Sequence, residues 1–98
     1  MPVPRNPPLI DFPEMWKEHP NKKLLPPIEV LNKLEVGDFV RLAHAAEMFW
    51  VKICSRKGNN FVGQVRHEIN HTTDIQFGDM VAFNRNHIRF IILKQLTS

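Results

Sequence analysis

The chain has 98 residues, 43% hydrophobic and 23% charged, with a net charge of +3. That is one small globular domain at most, able to bury roughly 60 to 65% of its unfolded surface. No stretch reaches the roughly 18 apolar residues of a membrane helix, and Met1-Pro2-Val3-Pro4-Arg5 has no apolar run after it, so neither a membrane partner nor a signal peptide is expected. The single cysteine, Cys54, excludes an intrachain disulfide framework and fits a reducing, cytoplasmic setting.

Charge is unevenly spread. Residues 1 to 47 carry six Lys/Arg against seven Asp/Glu, net −1, whereas residues 48 to 98 carry seven against three, net +4. The basic half coincides with the expected sheet, which suits an anionic partner as well as simple solubility.

In chain order, the first signal is proline. All eight prolines precede residue 28, and all four glycines lie from Gly37 onward. Such proline spacing forbids a long helix or a central strand, so residues 1 to 25 are expected to form an extended arm and residues 26 to 98 a small β-barrel-like domain. The arm carries Leu9, Ile10, Phe12, Met15 and Trp16, which are costly to leave in water. Either they lie across their own domain, or Phe12 and Trp16 dock on another subunit or protein.

After Pro26-Pro27, the spacing of Ile28, Leu31 and Leu34 predicts a short helix over residues 28 to 34, started by proline. Strand-like runs follow at 39–42, 48–53, 61–66, 80–83 and 88–93, and Gly58-Asn59-Asn60 reads as a hairpin turn. Cys54, closing the second run, is expected to pack at a strand end. Two of the strands start from the same phrase, Val36-Gly37-Asp38 and Phe77-Gly78-Asp79. Glycine accepts positive φ and aspartate bonds nearby amides, so both are expected to be sharp corners.

Alternation assigns the faces. Val40, Leu42, Phe49, Val51, Ile53, Phe61, Gly63 and Val65 form the candidate core; Phe39, Arg41, Trp50, Lys52, Gln64 and Arg66 fall on the opposite face. An outward Trp50 among Arg41, Lys52 and Arg66 would stack on a base or hold an acidic peptide, unless the arm covers it.

His67-Glu68-Ile69-Asn70-His71 matches the His-Glu-x-x-His zinc signature, whose chemistry requires both histidines on one helical turn. Here the motif continues a strand-like run and leads into Thr72-Thr73, which are poor helix formers. On a strand the two imidazoles would stand roughly 13 Å apart, too far for one metal ion. No phosphate loop, nucleophile elbow or carboxylate pair with an acid/base context occurs.

Beyond Pro26-Pro27, the order of motifs resembles the uncharacterised bacterial domain family that includes YegJ. Val36-Gly37-Asp38-Phe39-Val40-Arg41-Leu42 is similar to its opening strand, Glu47-Met48-Phe49-Trp50-Val51 to its Glu-Arg-Met-Trp-Val element, and Phe61-Val62-Gly63-Gln64-Val65 to its third strand. Phe77-Gly78-Asp79-Met80-Val81-Ala82-Phe83 with His87-Ile88 is similar to its closing block, so the resemblance spans residues 26 to 88. Met48 stands where the family has arginine, and Arg66-His67-Glu68-Ile69-Asn70 replaces its Asn-Asp-Pro turn. The resemblance implies a fold but no activity.

The resulting expectation is a mainly β domain: a small, strongly bent antiparallel sheet or partly open barrel of the Src-homology or Tudor kind, with one short helix and a proline-rich arm. The expected role is non-catalytic binding or assembly without cofactor or metal. A protein partner or self-association would use Phe12 and Trp16 or the Trp50 face. The alternative is nucleic-acid binding through Arg41, Trp50, Lys52 and Arg66, with Phe39 also on that candidate binding face, and a zinc-dependent hydrolase is a remote third.

Overall fold

A computed structural model describes residues 4, 6–15, 26–44, 47–70 and 75–93. Its architecture is mainly β, as the alternation anticipates. β1 (Phe39–His44), β2 (Glu47–Lys57), β3 (Asn60–Val65), β4 (Met80–Asn84) and β5 (Phe90–Ile92) form one five-stranded sheet in the order β4-β3-β2-β1-β5. Every pairing is antiparallel and the sheet stays open. Helical segments are α1 (Phe12–Met15), α2 (Ile28–Lys33) and a 3₁₀ turn at Arg85–His87. The arm is thus not wholly extended: Pro13 is tolerated in the first turn of α1, where its missing N–H has no helical partner to lose.

β2 governs the bend. Its residues Glu47–Lys52 pair with β1 and Val51–Lys57 with β3, so the strand passes from one neighbour to the next with little overlap. The register to β3 shifts between Ile53 and Ser55, an irregularity of the kind that sharpens strand bending. Cys54 sits there and is exposed, with its thiol directed at the Lys52 carbonyl at 3.5 Å. This corrects the expected packing role: the bulge turns Cys54 outward. Glycine at 58, with φ 61°, makes the β2–β3 hairpin possible, as the sequence suggested.

The two Gly-Asp corners are the same object built twice. Gly37 and Gly78 adopt φ of 100° and 91°, reserved for glycine. Asp38 N–H donates to the Glu35 carbonyl and Asp79 N–H to the Gln76 carbonyl, both at 3.1 Å. Each corner then clips to a neighbouring strand. Gly37 N–H donates to the Ile53 carbonyl and Ile53 N–H to that of Asp38; Gly78 N–H donates to Val65 and Val65 N–H to Asp79.

This correspondence extends across four strands. The β1–β2 pairs Phe39↔Lys52, Val40↔Val51, Arg41↔Trp50, Leu42↔Phe49 and Ala43↔Met48 have counterparts in β4–β3. These are Met80↔Gln64, Val81↔Gly63, Ala82↔Val62, Phe83↔Phe61 and Asn84↔Asn60. Lys52 and Gln64 are themselves opposite each other on β2 and β3, so a local pseudo-twofold relation runs between them.

The core follows that relation. Val40, Leu42, Phe49, Val51 and Ile53 from one half meet Val81, Phe83, Phe61 and Val65 from the other, joined by Leu31, Leu34, Ile75 and Ile88. Gly63 is the exception that lets the halves close. A Cβ there would lie 2.3 Å from Val51 Cγ1 and 2.8 Å from the Lys52 carbonyl oxygen.

α2 is held by a side chain from the sheet. Arg56 Nη1 donates to the carbonyls of Leu31, Asn32 and Leu34 at 3.2, 3.3 and 2.7 Å, satisfying acceptors that a helix end leaves open. Its guanidinium also lies over the Phe61 ring, 4.9 Å from the centroid. The N-terminal arm covers the open side. Ile10 N–H donates to the Ala43 carbonyl beyond the reach of β5, His44 Nδ1–H donates to the Pro8 carbonyl, and Leu9 packs on the core.

Candidate functional site

The residues placed outward by alternation form a continuous surface. One row crosses the strands as Ile92–Phe39–Lys52–Gln64–Met80. The next runs Phe90–Arg41–Trp50, and Arg66 joins it because its N–H donates to the Trp50 carbonyl. Neighbouring strands are about 4.8 Å apart, so side chains along a row are neighbours. No carboxylate occupies any of these positions.

Within the rows, cations sit on rings. The Arg41 guanidinium lies 5.6 Å from the Trp50 ring centroid, Arg66 lies 5.9 Å from Phe77, and Arg89 lies 4.1 Å from Phe90. Phe77 and Phe90 are 62% and 42% exposed, while Trp50 and Arg41 are half-buried. Arg41 Nε is buried and has no hydrogen-bond partner among the described residues. A buried guanidinium N–H without a partner carries a desolvation cost, which an oxyanion would offset only if the Arg41 side chain shifts to expose it.

Protein-family models, curated proteins and solved structures offer no match to this chain.

The structure therefore brings together Phe39, Arg41, Trp50, Lys52 and Arg66, as the alternation suggested, and separates Phe12 from them. Phe12 is only 4% exposed and α1 packs against the 3₁₀ turn, so this arm residue is part of its own domain and presents no docking side chain. Trp16 lies outside the described residues. Phe77, Phe90 and Arg89 join the surface although the sequence reading did not select them. Phe77 was visible as the apolar residue of the second corner. Phe90 was hidden because 88–93 is a nearly unbroken apolar run whose faces depend on the non-local pairing with β1.

The His-Glu-x-x-His segment is not helical over His67–Asn70. Ile69 packs on the core and the next residue, Asn70, donates its N–H to a carboxylate oxygen of the buried Glu47, so the middle of the segment is anchored in a non-helical conformation. His71 and Asp74 lie outside the described residues. Among the described residues no group of three His, Cys, Asp or Glu side chains is placed to hold a metal ion.

A concavity of about 340 Å³ lies over Ser55, Lys57, Asn60, Val62, Ala82 and Asn84. It is the pseudo-symmetric counterpart of the Arg41–Trp50 site: Ala82 and Val62 stand where the other half has Arg41 and Trp50. His87 borders it, with Nδ1 accepting from Asn84 N–H at 3.1 Å. Burial pushes the His87 imidazolium pKa below its ordinary value, and the Asp11 carboxylate draws it partly back.

Proposed function

We propose that this chain is a non-catalytic binding module that engages an anionic partner through the outer face of its sheet. Arg41 and Trp50 form the centre, with Phe39, Lys52 and Arg66 around them. The observation that carries this reading is the Arg41 guanidinium laid over Trp50 with its Nε–H unpaired among the described residues. The pseudo-twofold relation strengthens it. At matching core positions the two halves use similar apolar groups except for Gly63 in the place of Val51, yet at the outward pair one half has Arg41 and Trp50 and the other Ala82 and Val62. The pairing geometry accepts small residues there, so packing alone is no reason for the large cationic and aromatic pair.

Assembly through the arm has less support, because Phe12 is buried in its own domain. The resemblance of residues 26 to 88 to the YegJ-containing family remains a proposal alongside this one and adds no activity. Among the described residues no helix is long and apolar enough to cross a membrane. A cytoplasmic setting is likewise part of the proposal.

Retention on immobilised heparin at low salt tests the reading. Lys52→Glu and Arg66→Glu change exposed positions on the face, and Lys33→Glu makes the same charge change on α2. The first two should elute at lower salt than Lys33→Glu, with a shallower salt dependence, because each phosphate-like contact releases counterions. Equal elution of all three would end the proposal.

A further inference from the structure

Resting on that reading, we infer that the anionic partner is a single-stranded nucleic acid lying across the strands along Phe90, Arg41, Trp50, Arg66 and Phe77. Rings and cations alternate along this line, and each arginine named in the three stacked pairs is held against a ring. A single strand alternates in the same chemical sense, with flat bases that stack on aromatic faces and phosphates that accept from guanidinium groups.

The exposure of the rings separates the partner classes. Phe77 and Phe90 are exposed at the two ends of the line, each beneath an arginine that would have to share its ring with a base or swing aside, and half-buried Trp50 lies between them. A duplex keeps its base faces stacked inside and would use the cations alone. An acidic peptide would also pair with the cations but has no planar groups for three rings. Unpaired bases splayed over an open sheet face use both components. The carboxylate-free rows leave the phosphates unopposed.

The test uses Trp16→Phe as the background, since the chain has two tryptophans and this leaves Trp50 as the sole one. A labelled oligothymidylate, its duplex with oligoadenylate, polyglutamate and heparin are titrated at low salt. The expected result is about tenfold tighter binding of the single strand than of the duplex or polyglutamate, with quenching of Trp50 fluorescence. Trp50→Ala should weaken single-strand binding about tenfold or more and leave the salt slope unchanged, while Arg66→Glu should flatten that slope. Trp50→Phe should retain most of the affinity, which guards against reading a folding defect as lost stacking.

Binding of all polyanions alike, with Trp50→Ala silent, would overturn the nucleic-acid assignment and leave the anionic face standing. Preference for polyglutamate would reassign the partner to an acidic peptide and also overturn it. Failure to hold any polyanion would remove both readings together.

Discussion

Asp38 and Asp79 perform the same act at two corners of one sheet: each carboxylate Oδ2 accepts from the backbone N–H three residues earlier, Glu35 or Gln76, at 3.0 Å. The side chain closes the corner that the glycine opens, and the corner then clips to β2 or β3. Asp38 is 2% exposed whereas Asp79 is half-buried.

That difference predicts unequal costs for equal substitutions. Asp38→Ala should destabilise by about 1–3 kcal/mol and Asp79→Ala by about 1 kcal/mol, because the loss at the more buried corner is less easily made good by water. Urea unfolding of both variants checks the order; a larger loss for Asp79→Ala would contradict it.

At Gly63 the expected effect is steric. A methyl group added there meets Val51 Cγ1 and the Lys52 carbonyl, so Gly63→Ala should cost about 1–3 kcal/mol or more through overpacking. Val51→Ala in the same chain removes one of the two obstructions. The double variant should therefore lose less than the sum of the singles, a non-additivity measurable by denaturant titration.

For Arg56 the prediction concerns α2. Arg56→Lys keeps the charge but cannot hold the three carbonyls reached by Nη1 together with the Gly58 carbonyl reached by Nε and the stack on Phe61, so stability should fall by about 1–3 kcal/mol. Hydrogen exchange should show protection lost first over Ile28–Lys33, with β3 less affected.

His87 gives a pH dependence whose sign follows from its environment. Its pKa is lower in the folded chain than the ordinary 6.5, so below that value the unfolded chain binds the proton more readily. Stability should be complete above about pH 6.5 and fall below it by at most about 1.4 kcal/mol per pH unit until the folded imidazole also protonates. Protonation also removes the Nδ1 acceptor for Asn84 N–H. Asp11→Asn, which removes the opposing influence, should enlarge the loss; thermal unfolding across pH 5 to 8 that is unchanged from the parent would contradict this.

Local chemistry made much of the fold legible. Gly37, Gly78 and Gly58 announced their turns, and alternation sorted core from surface across β1, β2 and β3, because both are properties of adjacent residues. Longer-range effects were hidden. The expected second strand stopped at Ile53, whereas β2 continues through the exposed bulge at Cys54 to Lys57, because pairing with β3 sustains it past the end of the apolar run. Arg56 reads as one more surface cation in sequence, and only the approach of α2 gives it three carbonyls. The outward cluster was legible up to β3; Phe90 required knowing that the chain returns to pair with β1.

The arm has a further consequence at the edge of the sheet. β5 pairs with β1 only over Phe39–Arg41, and Ile10 takes the Ala43 carbonyl beyond it, two residues after the pair Pro7-Pro8. Prolines have no N–H to offer a neighbouring strand, so the segment that completes this edge cannot itself serve there as a template for another. The proline clustering that makes the N-terminus look like a mere linker acts as a chain terminator for strand addition. At this one edge it disfavours strand addition by another copy, while β4 forms the sheet's other edge.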